Sequence, residues 1–230
     1  MPFGYLGTTP NQQLKNSGVF SVEEALAVKN NGEWGGSLEL IEEVNASGTS
    51  TIEWGGSLEL IEEQTISSGQ VMDFTSIKEN KYDVHLLDIK CIGGSGASST
   101  NTFIRFYESG VLESASVYQY AFQYGFASGT FGEGKSTSAT GLPTGTEVFS
   151  NANDSSGSYA YFYNLGNSSK YSFMTMQGTQ LVAGGYRTRF GGGVLPQAST
   201  VDGIRLYSVN SIDYTSLTAK LYGVKQLWVL

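Results

Sequence analysis

Carboxylates come first in a search for chemistry, because two of them flanking a glycosidic bond form a common hydrolytic device. The sequence offers Glu42-Glu43 and Glu62-Glu63. Both pairs belong to one unit, Glu33-Trp34-Gly35-Gly36-Ser37-Leu38-Glu39-Leu40-Ile41-Glu42-Glu43, which returns unchanged as Glu53 to Glu63 at an offset of twenty. Duplication accounts for the second pair without a catalytic role. Adjacent strand residues also point to opposite faces, so neither pair converges on one substrate atom. The single histidine, His85, and the single cysteine, Cys91, share the alternating run Tyr82 to Ile92. One histidine makes no zinc or copper cluster, and Cys91 falls on the face of Leu87 and Ile89 as a buried, inert thiol. No Gly-x-Ser-x-Gly elbow occurs. Gly132-Glu133-Gly134-Lys135-Ser136-Thr137 echoes a phosphate loop but lacks the strand-to-helix setting that such a loop needs. The acidic turn Asn151-Ala152-Asn153-Asp154 matches no calcium-loop spacing. No catalytic residue, metal site or cofactor is expected.

The elements that would position these residues are strands. Glycine supplies 30 of 230 residues, charged residues are 15%, and 14 Tyr and 12 Phe supply large rings, a composition of aromatic strands joined by tight turns. In the duplicated unit, Gly-Gly pairs punctuate alternating Ser-Leu-Glu-Leu runs. Each copy reads as hairpin legs, the second continuing into Val71-Met72-Asp73-Phe74 to make a small meander. Tyr82 to Ile92 pairs with Thr102 to Tyr107, Tyr159 to Asn164 pairs with Lys170 to Met176, and Ile204 to Val209 pairs with Leu217 to Val224 as the closing hairpin. Between Gly125 and Ser158 the chain is mostly Gly, Ser, Thr, Asn and Asp, which reads as a long exposed loop. Single-sided alternation over ten to twelve legs predicts an all-β fold, an antiparallel β-sandwich of jelly-roll kind spanning residues 32–230.

Ahead of that domain, residues 1–20 show neither helical nor strand period and read as an extended arm, with Phe3, Tyr5, Leu6, Leu14, Val19 and Phe20 as its apolar attachment points. Ser21-Val22-Glu23-Glu24 is a capping box opening a short helix over 21–31, which Asn30-Asn31-Gly32 ends. The net charge of -8, with no basic run beyond Arg187-Thr188-Arg189, argues against nucleic acid. No apolar run reaches membrane-spanning length, and no basic segment followed by an apolar core opens the sequence, so synthesis in a cytosol without a secretion signal is expected. Tyr159, Tyr161 and Tyr163 repeat at period two and share a face, either as cross-strand packing or as an exposed binding face for sugar or protein, with Phe126 and Phe131 as further exposed rings.

Several stretches resemble structural (virion) proteins of tailed bacteriophages that infect marine bacteria and cyanobacteria: Gly4 to Gln13, Ser17 to Ala25, Gly35 to Glu43, Tyr82 to Leu87 with Phe103 to Phe106, and Gly192 to Pro196 leading into Asp202 to Tyr207. The extra copy of Trp-Gly-Gly-Ser-Leu-Glu-Leu-Ile-Glu-Glu departs from that pattern. The resemblance implies a non-enzymatic particle protein, assembled in the host bacterial cytoplasm, whose N-terminal segment attaches and whose β domain projects or caps. A capsid decoration or head-fibre subunit is the leading expectation. A tail or tail-fibre component, or a host-contact module gripping surface glycan, is the alternative. The implied partners are other virion proteins and further copies of this chain, a trimer among the forms.

Overall fold

Alternation at period two makes strands, and the computed structural model is all-β over the residues it describes, 58–94, 100–148, 155–182 and 185–225. All of them belong to the second of two units into which the chain divides, Gly56–Leu230. The arm expected at 1–20, the helix at 21–31 and the first repeat copy at 33–43 lie outside the described residues.

The strands are β1 (Leu58–Ile66), β2 (Val71–Phe74), β3 (Val84–Gly94), β4 (Thr100–Glu108), β5 (Val111–Leu112), β6 (Tyr118–Phe126), β7 (Phe131–Ala139), β8 (Leu142–Val148), β9 (Ser156–Tyr163), β10 (Ser172–Val182), β11 (Gly185–Leu195), β12 (Val201–Ser208) and β13 (Tyr214–Val224). They form two antiparallel sheets, one of them curled into a half-barrel. The eight-stranded sheet runs β1-β13-β3-β9-β10-β11-β6-β7, and the five-stranded sheet runs β2-β12-β4-β5 with β8 also on β4.

One apolar cluster joins the sheets. Leu87, Ile89 and Cys91 of β3, Phe162 of β9, Met174 and Met176 of β10 and Leu217 and Leu221 of β13 are buried with Phe74, Ile104, Phe106, Ile204 and Leu206 of the smaller sheet. Phe106 meets Phe162 edge to face at 5.8 Å between ring centroids, bridging the two sheets. Its backbone N–H donates to the Tyr118 hydroxyl at 2.9 Å, and that hydroxyl donates onward to the Glu113 carbonyl at 3.1 Å, so the buried phenol is satisfied.

Three pairings differ from the sequence expectation. β1 pairs β13 whereas β2 pairs β12, so the second repeat copy and Val71–Phe74 enter different sheets and make no meander. β3 pairs β9 and β13, not β4. β12 and β13 likewise separate, one to each sheet. The common reason is that alternation specifies which face a side chain takes, and a connection between two strands serves equally to turn within a sheet or to cross between sheets.

The expected loop from Gly125 to Ser158 also differs, because β7, β8 and the start of β9 occupy much of it. Its small residues are structural. Phe122 and Tyr124 lie across Gly134 and Gly132 of β7, where an added Cβ would sit 2.3 Å from the Phe122 ring or from the Tyr124 hydroxyl. Glycine there lets the β6 rings cover the face of β7 on which Gly132 and Gly134 leave no side chain. In β8, Thr144 Oγ1 donates to the Thr102 carbonyl at 2.9 Å, and the Thr146 and Ser158 hydroxyls share a 2.5 Å hydrogen bond, so polar residues are buried without loss.

Candidate binding face

On the outward side of the eight-stranded sheet, β9, β10, β11 and β6 each turn one alternate set of residues to a common face. Cross-strand register makes a row, Asp88–Tyr159–Gln177–Phe190–Gln123–Glu133, across six strands. Tyr159 is 43% and Phe190 51% exposed, two strands apart and therefore about 10 Å from each other. The Tyr159 hydroxyl donates to Gln177 Oε1 at 2.8 Å, which fixes the amide between the two rings. A parallel row holds Val84, Tyr163, Phe173, Val194 and Gln119. Between them runs Leu86–Tyr161–Thr175–Gly192–Ala121–Lys135, whose Gly192 and Ala121 leave low relief. An open depression of about 250 Å³ lies where these rows reach the sheet edge, lined by Phe190, Ala121, Gln123, Glu133 and Lys135 among others.

The expected ring residues divide between the two sides of this sheet. Tyr159, Tyr161 and Tyr163 do share the outward face, Tyr159 exposed and the other two half-buried. Phe131, 82% exposed, stands on the same face opposite Gly125. Phe126 is on the opposite side, half-buried, with its ring 5.8 Å from that of Tyr124 and the Arg187 guanidinium 5.3 Å from its centre. Phe3, Tyr5, Leu6, Leu14, Val19 and Phe20 lie outside the described residues. Phe173, Gln177, Phe190 and Gln123 were missed. Alternation could have placed Phe173 and Gln177 on the Tyr159 face once the hairpin was read, whereas Phe190 and Gln123 join only through the β11 and β6 pairings.

That opposite side carries a charged cluster which the sequence reading also missed. Arg187 and Arg189 of β11 both donate to Glu147 Oε2 of β8, Arg189 at 3.1 Å, and Gln180 Nε2 joins at 3.2 Å. Arg189 Nη1 also donates to Asn101 Oδ1 at 2.5 Å. The guanidiniums of Arg187 and Arg189 lie over Tyr124 and Phe122 at 5.7 and 5.4 Å. Burial, together with the neighbouring Arg187 charge, pushes Arg189 down to about 10 despite Glu147. The five-stranded sheet has a smaller network outside. Arg205 donates twice to Asp73 at 2.7 Å, and the Tyr107 hydroxyl donates to the same carboxylate at 3.0 Å. Burial pushes the Asp73 carboxyl upward, but the hydrogen bonds from Arg205 and Tyr107 outweigh it and hold the group below its ordinary range.

The exposed row continues past Asp88 through Lys220 to Glu63, so Asp88 lies two strand spacings or about 10 Å from Glu63, with Lys220 between them and its Nζ 3.3 Å from Glu63 Oε1, and five spacings or about 24 Å from Glu133. Gly129-x-x-x-x-Gly134-Lys135-Ser136 completes the spacing of a phosphate loop, an agreement that only its surroundings can test. Here residues 131–139 are an extended edge strand entering an antiparallel pair, with no helix to follow, and Lys135 Nζ donates to Glu133 Oε1 at 2.5 Å. No backbone cradle for a phosphate forms. His85 is buried, its Nε2 donating to the Ile77 carbonyl at 2.9 Å, and burial lowers its pKa. Burial raises the Cys91 thiol to about 11. Among the described residues no group of three His, Cys, Asp or Glu side chains is placed to hold a metal. What the outward face offers is flat rings, amides fixed beside them and an open depression, the chemistry of reversible surface contact. No family model matches this chain, and neither the curated proteins nor the solved structures contain a match.

Proposed function

We propose that this chain is a non-enzymatic structural subunit of a tailed-phage particle, a capsid decoration or head-fibre protein held by its N-terminal arm and displaying the outward face of its eight-stranded sheet. In this reading the two sheets close as a jelly-roll-like sandwich. The observation that carries it is the row Tyr159–Gln177–Phe190–Gln123, exposed large rings alternating with amides on one face. The sequence likeness to virion proteins supports the particle setting, and Phe3, Tyr5, Leu6, Leu14, Val19 and Phe20 supply the attachment points.

Deleting residues 1–20 tests the anchor. The expected result is loss of the protein from purified particles, while the purified β body keeps its thermal transition. Particles that retain the truncated chain at wild-type copy number would refute it.

A tail-fibre or host-contact module is the second reading, favoured by one observation: rings about 10 Å apart with a fixed amide between them suit stacking on alternate sugars of an extended glycan. Saturable binding of host surface polysaccharide by the truncated chain, abolished by Phe190→Ala, would establish it over the decoration role.

A further inference from the structure

The eight-stranded sheet ends at β7, which pairs β6 on one side and, among the described residues, nothing on the other. From Phe131 to Ser136 the strand keeps regular register with β6, an irregularity following between Ser136 and Ala139, and this stretch presents unpaired backbone donors and acceptors on its free side with no proline to interrupt them. Edge strands are commonly guarded by proline, by a bulge or by a charge, especially lysine; the irregularity of β7 lies beyond Ser136, and within Phe131–Ser136 the charge that could repel a second strand is Lys135. Here the guard is cancelled, because Lys135 is paired with Glu133 two residues away on the same outward face. Phe131, 82% exposed, adds an uncovered ring to that face. On the other face, Gly132 and Gly134 are roofed by Tyr124 and Phe122, so no bulky β7 side chain blocks an approaching strand from that side.

The order of charges then selects a partner. We propose that β7 is a homodimerisation edge, pairing antiparallel with β7 of a second copy about a two-fold axis at Gly134. In this register Glu133 faces Lys135 of the second copy and Lys135 faces its Glu133, so two cross-strand opposite-charge pairs form on the outward face. Gly132 lies opposite Ser136. Centring the axis on Glu133 or Lys135 instead would oppose like charges, which leaves Gly134 as the register the charges favour. The pairing joins two eight-stranded sheets into one and brings the two depressions lined by Glu133 and Lys135 to either side of the axis. It does not depend on the particle reading, since it concerns the purified chain alone.

Charge exchange tests the register. The purified full chain should sediment with twice the mass of one chain. E133K and K135E, each folded by circular dichroism, should each raise the dimer dissociation constant about tenfold or more, because two like-charge contacts replace two opposite-charge ones. Mixing the two variants should restore the dimer, because the E133K copy carries lysine at both positions and then faces a K135E copy carrying glutamate at both. A wild-type mass of one chain at all concentrations overturns the proposal. So does an oligomer whose mass ignores both charge reversals, or a mixture that fails to reassociate.

Discussion

Strand β11 carries two surfaces of opposite character, one on each side of the same sheet. Arg187 and Arg189 point to the side where Glu147, Gln180 and Asn101 bind them and the β6 rings lie against their guanidiniums. Phe190, one residue away, points to the other side and stands 51% exposed beside the Gln177 and Gln123 positions. The first surface is closed: its Arg and Glu side chains are nearly buried and share hydrogen bonds through Glu147 Oε2, although Arg187 Nε, Arg189 Nε and Gln180 Oε1 find no partner there. The second is open, with rings and amides held in register and nothing among the described residues laid upon them. Buried polar groups must be paired or they cost free energy, whereas exposed rings in a fixed row occur only as scattered accidents or as a contact surface. The alignment of Tyr159 and Phe190 in one register row, across β9, β10 and β11, favours contact.

Removing Glu147 should break this contrast most severely. Glu147→Ala leaves two nearly buried guanidiniums without their shared acceptor, and a loss of about 3–5 kcal/mol in urea-unfolding free energy is expected. A loss under about 1 kcal/mol would mean that the closed side is solvated and the comparison mistaken.

Acid should attack the interior by a second route. His85 is buried and neutral, with Nε2 donating to Ile77 and Nδ1 lacking a partner, and burial outweighs the carbonyl and the Glu79 and Asp83 charges to lower its pKa. Because the folded pKa lies below the unfolded one, the unfolded chain binds the extra proton first. Stability from this group is therefore complete above the ordinary value of 6.5 and is lost as pH falls from there toward the folded pKa. Asp73, held below its ordinary 3.8, contributes its own loss only at still lower pH. Urea midpoints followed downward from about pH 8 should begin to fall near 6.5, the ordinary histidine value, and H85Q should remove that first decline. A wild-type midpoint flat through this range would contradict the buried neutral assignment.

Sequence reading reached the faces of these elements better than their partners. Tyr159, Tyr161 and Tyr163 were legible as one face, and the β9–β10 hairpin as a pair, because alternation and the turn Leu165 to Ser169 are both local signals. Which way the tyrosines faced was not, since the alternate set on β9, Ser156, Ser158, Ala160 and Phe162, is hardly more apolar until Phe106 is placed against Phe162. β7 and β8 were hidden for a related reason: their glycines and threonines look like loop until the rings over Gly132 and Gly134, or the carbonyl that receives Thr144, are known. The Glu147 cluster draws on residues 101, 147, 180, 187 and 189, far apart in sequence and joined only by strand order.

The smallest stability effects belong to the open side. Phe190→Ala and Tyr159→Ala should each change unfolding free energy by no more than about 0.5 kcal/mol, because neither ring supports the core. Thermal melts check this, and a larger loss would move those rings from contact to structure.

Reconstruction of the intact particle tests the central claim most directly. The account predicts density for the β body at a repeating position on the shell, with residues 1–20 threaded between capsid subunits and the Tyr159–Phe190 face of the eight-stranded sheet turned outward. A reconstruction in which that face is pressed on the shell while the Asp73–Arg205 side points outward would contradict it, as would particles that lack the chain.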